Sequence, residues 1–298
     1  MALETPGEID NEFIKEKRKK LGWFFWCCVV WFGLNVFVAI FVNFLPIQDP
    51  TLEVATDPNL PVNSGPTAAH WLGTDESGRD IFSRILHGSR VSLEIGFGGM
   101  LIGFAIGGTL GVYAAYRRGR FDSLLSIFMF TILAFPAIVF LIAFSAVWKP
   151  MDLNKIIILL SVASIPAVYR VIRGSTLAAA SREFITAAKV QGASDFRIIF
   201  KEILPNILPT AISFFMIGVA TLIILEGGLA VLGVSVPPPE PSWGNMINEG
   251  TTFINSPNSG VGPWLVLFPG IAFFLLLLSI NTIGDKLRDF FDVTEGKL

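Results

Sequence analysis

Apolar positions in this chain come in long unbroken blocks separated by shorter polar stretches, rather than alternating with polar ones. Each block is near the ~20 residues a helix needs to cross a ~30 Å hydrocarbon core. The pattern predicts six helices, at about Leu21–Leu45, Val91–Ala115, Leu124–Trp148, Lys155–Tyr169, Pro209–Val236 and Trp264–Ile283. The fourth is the shortest and contains Pro166, which a span tolerates when neighbours satisfy the carbonyl it frees. Pro46–His70 has no period and is rich in Pro, Asp, Asn and Thr, so it reads as irregular loop. The expected organisation is an all-α integral membrane protein. Residues 1–20 form a tail, 21–45 a first span, 46–90 an outer loop with an interfacial helix, 91–285 a core of five spans with a polar loop at 170–209, and 286–298 a second tail.

Composition agrees with this reading. The chain is 52% hydrophobic and 15% charged, against about 25% charged in soluble domains. A net charge of −2 gives no basic surface for nucleic acid. The first block is too long for a signal-peptide core and has no small-residue cleavage site, so it reads as a retained span.

The signs of the charges orient the spans, because basic residues collect on the cytoplasmic side. With six spans, Lys15, Lys17, Arg18, Lys19 and Lys20 share one side with Arg117, Arg118 and Arg120. Arg170, Arg173, Arg182, Lys189, Arg197, Lys201, Lys286, Arg288 and Lys297 fall there too. The other side receives Arg79, Arg84, Arg90, Lys149 and Lys155. Both termini are therefore expected in the cytoplasm.

The stretch Arg170–Pro209 is too polar for a bilayer, yet spans flank it. Ser181 is an expected N-cap, with Glu183 in the first turn where the helix dipole favours a carboxylate. Gly192 should stop that helix, and Ser194 should cap a second, short one with Asp195 in its first turn. Ala187 and Ala188 are small, so another backbone could approach closely there. Phe196, Ile199 and Phe200 form an apolar stripe with no lipid to cover it. Such a stripe either packs on the protein's own helix ends or marks an interface.

Other positions have physical readings of their own. Gly99, Gly103, Gly107 and Gly111 recur every fourth residue and leave one helix face nearly bare, for packing against a helix of this chain or of a partner. Glu94 lies near a span end and can pair with Arg90. Glu226 is deeper, and Gly227-Gly228 follow it where the helix can loosen; a structural or gating role is expected. Asp80–Leu86 reads as an interfacial helix with Ile81, Phe82, Ile85 and Leu86 toward the membrane and Arg79, Asp80 and Arg84 toward water. His70 and His87 read as surface residues. They and the adjacent Cys27 and Cys28 lack the company a metal site needs. No nucleotide-binding loop Gly-x-x-x-x-Gly-Lys-Ser/Thr, no His-Glu-x-x-His and no Gly-x-Ser-x-Gly occurs. No catalytic residue, cofactor or metal is assigned.

The polar loop resembles the conserved cytoplasmic loop of ABC-importer permeases: Glu-Ala-Ala, three residues, Gly, nine residues, then Ile-x-Leu-Pro. Here Thr186-Ala187-Ala188, Gly192-Ala193 and Leu204-Pro205 fill those places, with Thr186 for Glu and Glu202 for Ile. Leu72–Asp80 with Ser83-Arg84, Gly88, Arg90 and Ser92-Leu93 is similar to the dipeptide/oligopeptide/nickel permeases of the C-subunit type. So are Glu226 with Leu232-Gly233, Pro238-Pro239 and Pro241–Gly244, and Asn281 with Gly284-Asp285, Leu287–Asp289 and Asp292. The resemblance covers about Trp71–Val293.

It implies a type I ABC importer permease fold in a bacterial inner membrane, with the loop seated as a coupling helix in a cytoplasmic ATPase. It also implies as partners a homologous second permease, two ATPase subunits holding ATP and Mg, and an extracytoplasmic binding protein. Glu226, Gly227 and Trp243 become candidates for a gate or path. Peptides are the expected solute, with nickel or another small solute as the alternative. A secondary transporter or a membrane enzyme would belong to other classes.

Overall fold

The computed structural model describes residues 22–54, 57–254 and 263–295, so the expected tail 1–20 lies outside the described residues. Among these residues all regular elements are helical, apart from one isolated bridge between Thr74 and Asp80. The helices are α1 (Trp23–Phe41), α2 (Ile81–Arg117), α3 (Gly119–Leu133), α4 (Ala137–Val147) and α5 (Leu153–Ala180). They continue as α6 (Glu183–Val190), α7 (Asp195–Val231), α8 (Trp243–Ile254) and α9 (Trp264–Glu295). α1 with its 3-10 extension to Phe44, α2, α5, α7 and α9 are each long and apolar enough to span.

The single helix expected over about Leu124–Trp148 is instead the pair α3–α4, bent by 85°. The break falls at Pro136, which has no N–H to donate and disfavours the helical conformation in the residue before it. Contacts at both ends of the bundle show that the bent pair makes one crossing. The Tyr116 hydroxyl, at the end of α2, donates to Asp195 Oδ1 at the start of α7, 2.7 Å away. Arg173, late in α5, grips Asp122, early in α3, through Nε–Oδ1 at 2.6 Å and Nη2–Oδ2 at 2.7 Å. The end of α2 and the start of α7 thus share one face, and between them lie the bent pair, α5 and α6, of which α6, with eight residues, is too short to cross. At the opposite face Trp243 Nε1 donates to the Ile85 carbonyl at 2.8 Å. Below, these are the Tyr116 end and the Ile81 end.

Helix lengths differ from expectation because hydropathy reports the bilayer, while a helix continues as long as its residues allow. α2 starts at Ile81 rather than Val91, so Asp80–Leu86 is not a separate interfacial helix; Asp80 caps α2, accepting the Ser83 N–H at 2.8 Å. α5 passes through Pro166 and continues to Ala180 rather than stopping at Tyr169. α7 starts at Asp195, not Pro209, and winds through a π-helical segment at Ile198–Ile203. α9 carries helix to Glu295, into the expected second tail.

The glycine row of α2 is filled from within the chain. α2 packs on α5 and α7. A Cβ on Gly107 would stand 2.6 Å from the Ile165 carbonyl oxygen, and one on Gly111 3.0 Å from that of Tyr169. On Gly103 it would run into Ser164 Oγ, and on Gly99 it would meet Leu222 Cδ1 of α7 at 2.8 Å. α7 also packs on α9, α1 lies against α9 and α2, and α8 is wedged among α7, α9 and α2.

Candidate functional site

At the Tyr116 end, the chain between α5 and α7 folds into a helix–turn–helix outside the apolar bundle. Ser181 is not the N-cap; it ends α5, donating its hydroxyl to the Ala178 carbonyl at 2.8 Å. Arg182 takes the N-cap position of α6, and Glu183 lies in its first turn. Ile185 is the buried side chain of this helix. Thr186 and Ala187 face outward and Ala188 is half-buried.

The turn is dictated by four residues. Gly192 takes φ +78°, which costs glycine little and other residues more. That conformation lets the Gly192 N–H donate to the Lys189 carbonyl and the Ala193 N–H to the Ala188 carbonyl, both at 3.0 Å. The pair closes a Schellman motif and satisfies carbonyls the helix end would orphan. Ser194 then accepts the Arg197 N–H at 3.3 Å and caps α7, with Asp195 in the first turn. The expected short second helix is the beginning of the long α7.

The apolar stripe divides. Ile198 and Ile203 are buried, and Ile199 and Leu204 pack partly against the core. Phe196 and Phe200 stack with ring centroids 4.3 Å apart and remain 70% and 53% exposed. Val190, on the other limb, is 84% exposed. Pro205 is exposed at the start of the α-helical part of α7. Aromatic rings left open on a loop that also carries Lys189, Arg197 and Lys201 give it the mixed apolar and basic character that marks protein interfaces.

The Ile81 end holds a second polar cluster. Asp75 Oδ2 accepts from Arg79 Nε at 2.7 Å and from Arg84 Nη1. Glu249 of α8 reaches the same arginines, at 3.3 Å from Arg79 Nη2 and 3.0 Å from Arg84 Nη2. Arg79 and Arg84 are buried, not water-facing, and Ile81 is buried too rather than set into the membrane. Burial pushes the neighbouring Glu76 carboxyl upward, and the charges of Glu249 and Asp75 add to that. His70 is likewise buried, with Nδ1 3.0 Å from Asp80 Oδ1. Arg90 and Glu94 do pair, at 2.8 Å, on a half-exposed face.

Glu226 is fully buried near this end. Its Oε1 accepts from Ser235 at 2.6 Å and from Ser242 at 2.8 Å, so one carboxylate holds both ends of the connection between α7 and α8. The helix does not loosen at Gly227-Gly228; α7 runs unbroken to Val231. A Cβ on Gly244 would lie 2.7 Å from Gly227 Cα, which places the backbones of α7 and α8 in contact there. Trp243 is 1% exposed and lies over Gly88, where a Cβ would stand 2.8 Å from its ring. Glu226, Gly227 and Trp243 therefore form the seat of α8.

The sequence reading missed Asp75, Glu249, Ser235 and Ser242 as partners. Each serves a residue that had been noticed, but no local spacing connects Arg84 to a glutamate 165 positions away. Among the described residues no group of His, Cys, Asp and Glu could hold a metal ion.

Residues 107–293 match the family described as binding-protein-dependent transport system inner membrane component. The dipeptide transport system permease protein DppC of Alkalihalophilus pseudofirmus is 38% identical over 257 residues, covering 86% of this chain and 81% of that protein. The glutathione transport system permease protein GsiD of Pectobacterium atrosepticum is 39% identical over 231 residues, covering 78% and 75%. In fold, the chain is similar to a solved inward-facing MetNI methionine ABC transporter, with a TM-score of 0.59 at 20% identity over 70% of this chain and 96% of that one.

Proposed function

This chain belongs to the family of binding-protein-dependent transport system inner membrane components, and from that premise we propose that it is one permease subunit of an ATP-driven importer of short peptides. The peptide assignment rests on two relatives named for a dipeptide and for glutathione, itself a short peptide. The helix–turn–helix at the Tyr116 end is the observation that carries the mechanism: an ordered, capped structure beyond the spans with Val190, Phe196 and Phe200 uncovered.

In this reading the Tyr116 end faces the cytoplasm, as the basic residues around it favour. α6 docks in a groove of an ATPase subunit, and Phe196 and Phe200 broaden the contact. ATP and Mg reside on two such partners, and this chain catalyses nothing. Closure of the ATPases on ATP favours one of two arrangements of the spans, and α5 and α7, continuous with the loop, carry the shift toward the Ile81 end. A homologous second permease completes the path, and a binding protein delivers the solute at the opposite face.

The reading is tested by purification with the products of neighbouring genes. Co-purification with two ATPase subunits, and ATP hydrolysis that rises with peptide-loaded binding protein, is the expected result. A chain that purifies alone and moves solute without nucleotide would sink it.

A further inference from the structure

We infer that Tyr116 is a positioning residue that ties α2 to the coupling loop, although α2 is not continuous with that loop. The inference rests on the docking of α6 proposed above and adds a third span to the two that the loop joins covalently. Tyr116 ends α2 one residue before Arg117, its ring half-buried against the core. Its hydroxyl donates to Asp195 Oδ1 at 2.7 Å, on the α7 limb. Lys189 Nζ, on the α6 limb, stands 5.3 Å from the centroid of the same ring. One side chain thus meets a residue of each limb.

The rest of α2 is suited to pass on what Tyr116 receives. Its glycine face lies on α5 with backbone against backbone at Gly107 and Gly111. At its far end Arg84 and the Ile85 carbonyl hold α8 through Glu249 and Trp243. A displacement of the loop therefore has a direct route along α2 to the outer helix, beside the routes through α5 and α7.

The test uses the complete assembly in nanodiscs: this chain without Cys27 and Cys28, the second permease, both ATPases and the binding protein as purified from cells. Spin labels at Tyr113→Cys and Gln191→Cys, both exposed, report the distance between α2 and the end of α6 with and without ATP. In the parent that distance stays fixed through the nucleotide cycle. Tyr116→Phe keeps the ring but loses the hydroxyl, so the distance broadens. Stimulation of ATP hydrolysis by the binding protein then falls about five-fold, the low end of coupling between sites.

Asp195→Asn keeps an acceptor oxygen and restores both readouts. Asp195→Ala matches Tyr116→Phe, and the double variant is no worse than either. Stimulation within about two-fold of the parent, or a distance as fixed as the parent's, overturns the inference. A parent in which Val190→Cys fails to crosslink to an ATPase overturns the docking reading, and the role of Tyr116 in coupling with it.

Discussion

Arg84 and Arg90 lie on one helix six positions apart, and burial separates them. Arg84 is fully buried, with its guanidinium held between Asp75 and Glu249. Arg90 pairs with Glu94 on a half-exposed face, where an ion pair is worth ~0–1 kcal/mol. Removing one partner of a buried pair strands the other charge, at ~3–5 kcal/mol. Arg84→Ala should therefore lower the thermal midpoint of the detergent-solubilised protein sharply, and Arg90→Ala should scarcely move it; equal shifts would contradict the buried cluster. Glu76, beside this cluster, adds a pH dependence. Its folded-state carboxyl titrates above the ordinary glutamate range because burial disfavours the charge. The folded state then binds more protons than the unfolded one as pH rises from about 4.5, so this group's contribution is full below that pH and declines above it. Glu76→Gln should raise the midpoint at pH 7 and make no difference at pH 4; a gain confined to low pH would reverse the assignment. Gly192 was legible from sequence because a helix that must stop needs a residue tolerant of positive φ. Arg84 was not, since charge near a span end reads as surface until the distant residue that covers it is known.

Elements were legible in number more than in extent. Six apolar blocks give six crossings once α3 and α4 count as one, because the bilayer itself sets the length of an apolar run. Helix ends were misplaced wherever helix leaves the membrane, as at Ala180, Asp195 and Ile81, since good helix formers continue in water. The break before Pro136 was missed although Pro166, Pro209 and Pro269 sit inside helices that continue. Proline alone does not decide; the neighbours that take up the freed carbonyl do. Two predictions belong at this scale. Gly107→Ala puts a methyl against the Ile165 carbonyl and the Tyr169 N–H, where only backbone could give way; Gly108→Ala meets nothing closer than 3.9 Å. Overpacking costs ~1–3 kcal/mol, so Gly107→Ala should destabilise by about that much and Gly108→Ala should not, as thermal unfolding would register. In the loop, Gly192→Pro removes the N–H given to Lys189 and cannot adopt φ +78°. A bulky side chain at Ala188 leaves that turn intact and crowds the docking face. Both variants should insert normally yet lose solute uptake in cells; wild-type uptake in either would contradict docking through this loop.

At the scale of the molecule, the two polar clusters and the apolar bundle between them form one argument about sidedness. Tyr116 and Asp122 meet Asp195 and Arg173 at one end, while Ile85 and Arg84 meet Trp243 and Glu249 at the other. No path of the chain satisfies both sets of contacts unless the bent α3–α4 pair crosses, and three crossings (α2, α3–α4 and α5) then separate the connection after α1 from the loop at α6. Val62, exposed in the connection between α1 and α2, must lie on the opposite side from Val190, exposed on α6. In a chain without Cys27 and Cys28, Val62→Cys should react with a membrane-impermeant maleimide on spheroplasts, and Val190→Cys only after lysis. The direction of that result follows from the basic residues gathered at the Tyr116 end. Labelling of Val190→Cys from outside would reverse the orientation and leave α6 with no ATPase to reach. Labelling of both from the same side would mean that α3–α4 turns back within the membrane, which the contact between Tyr116 and Asp195 forbids.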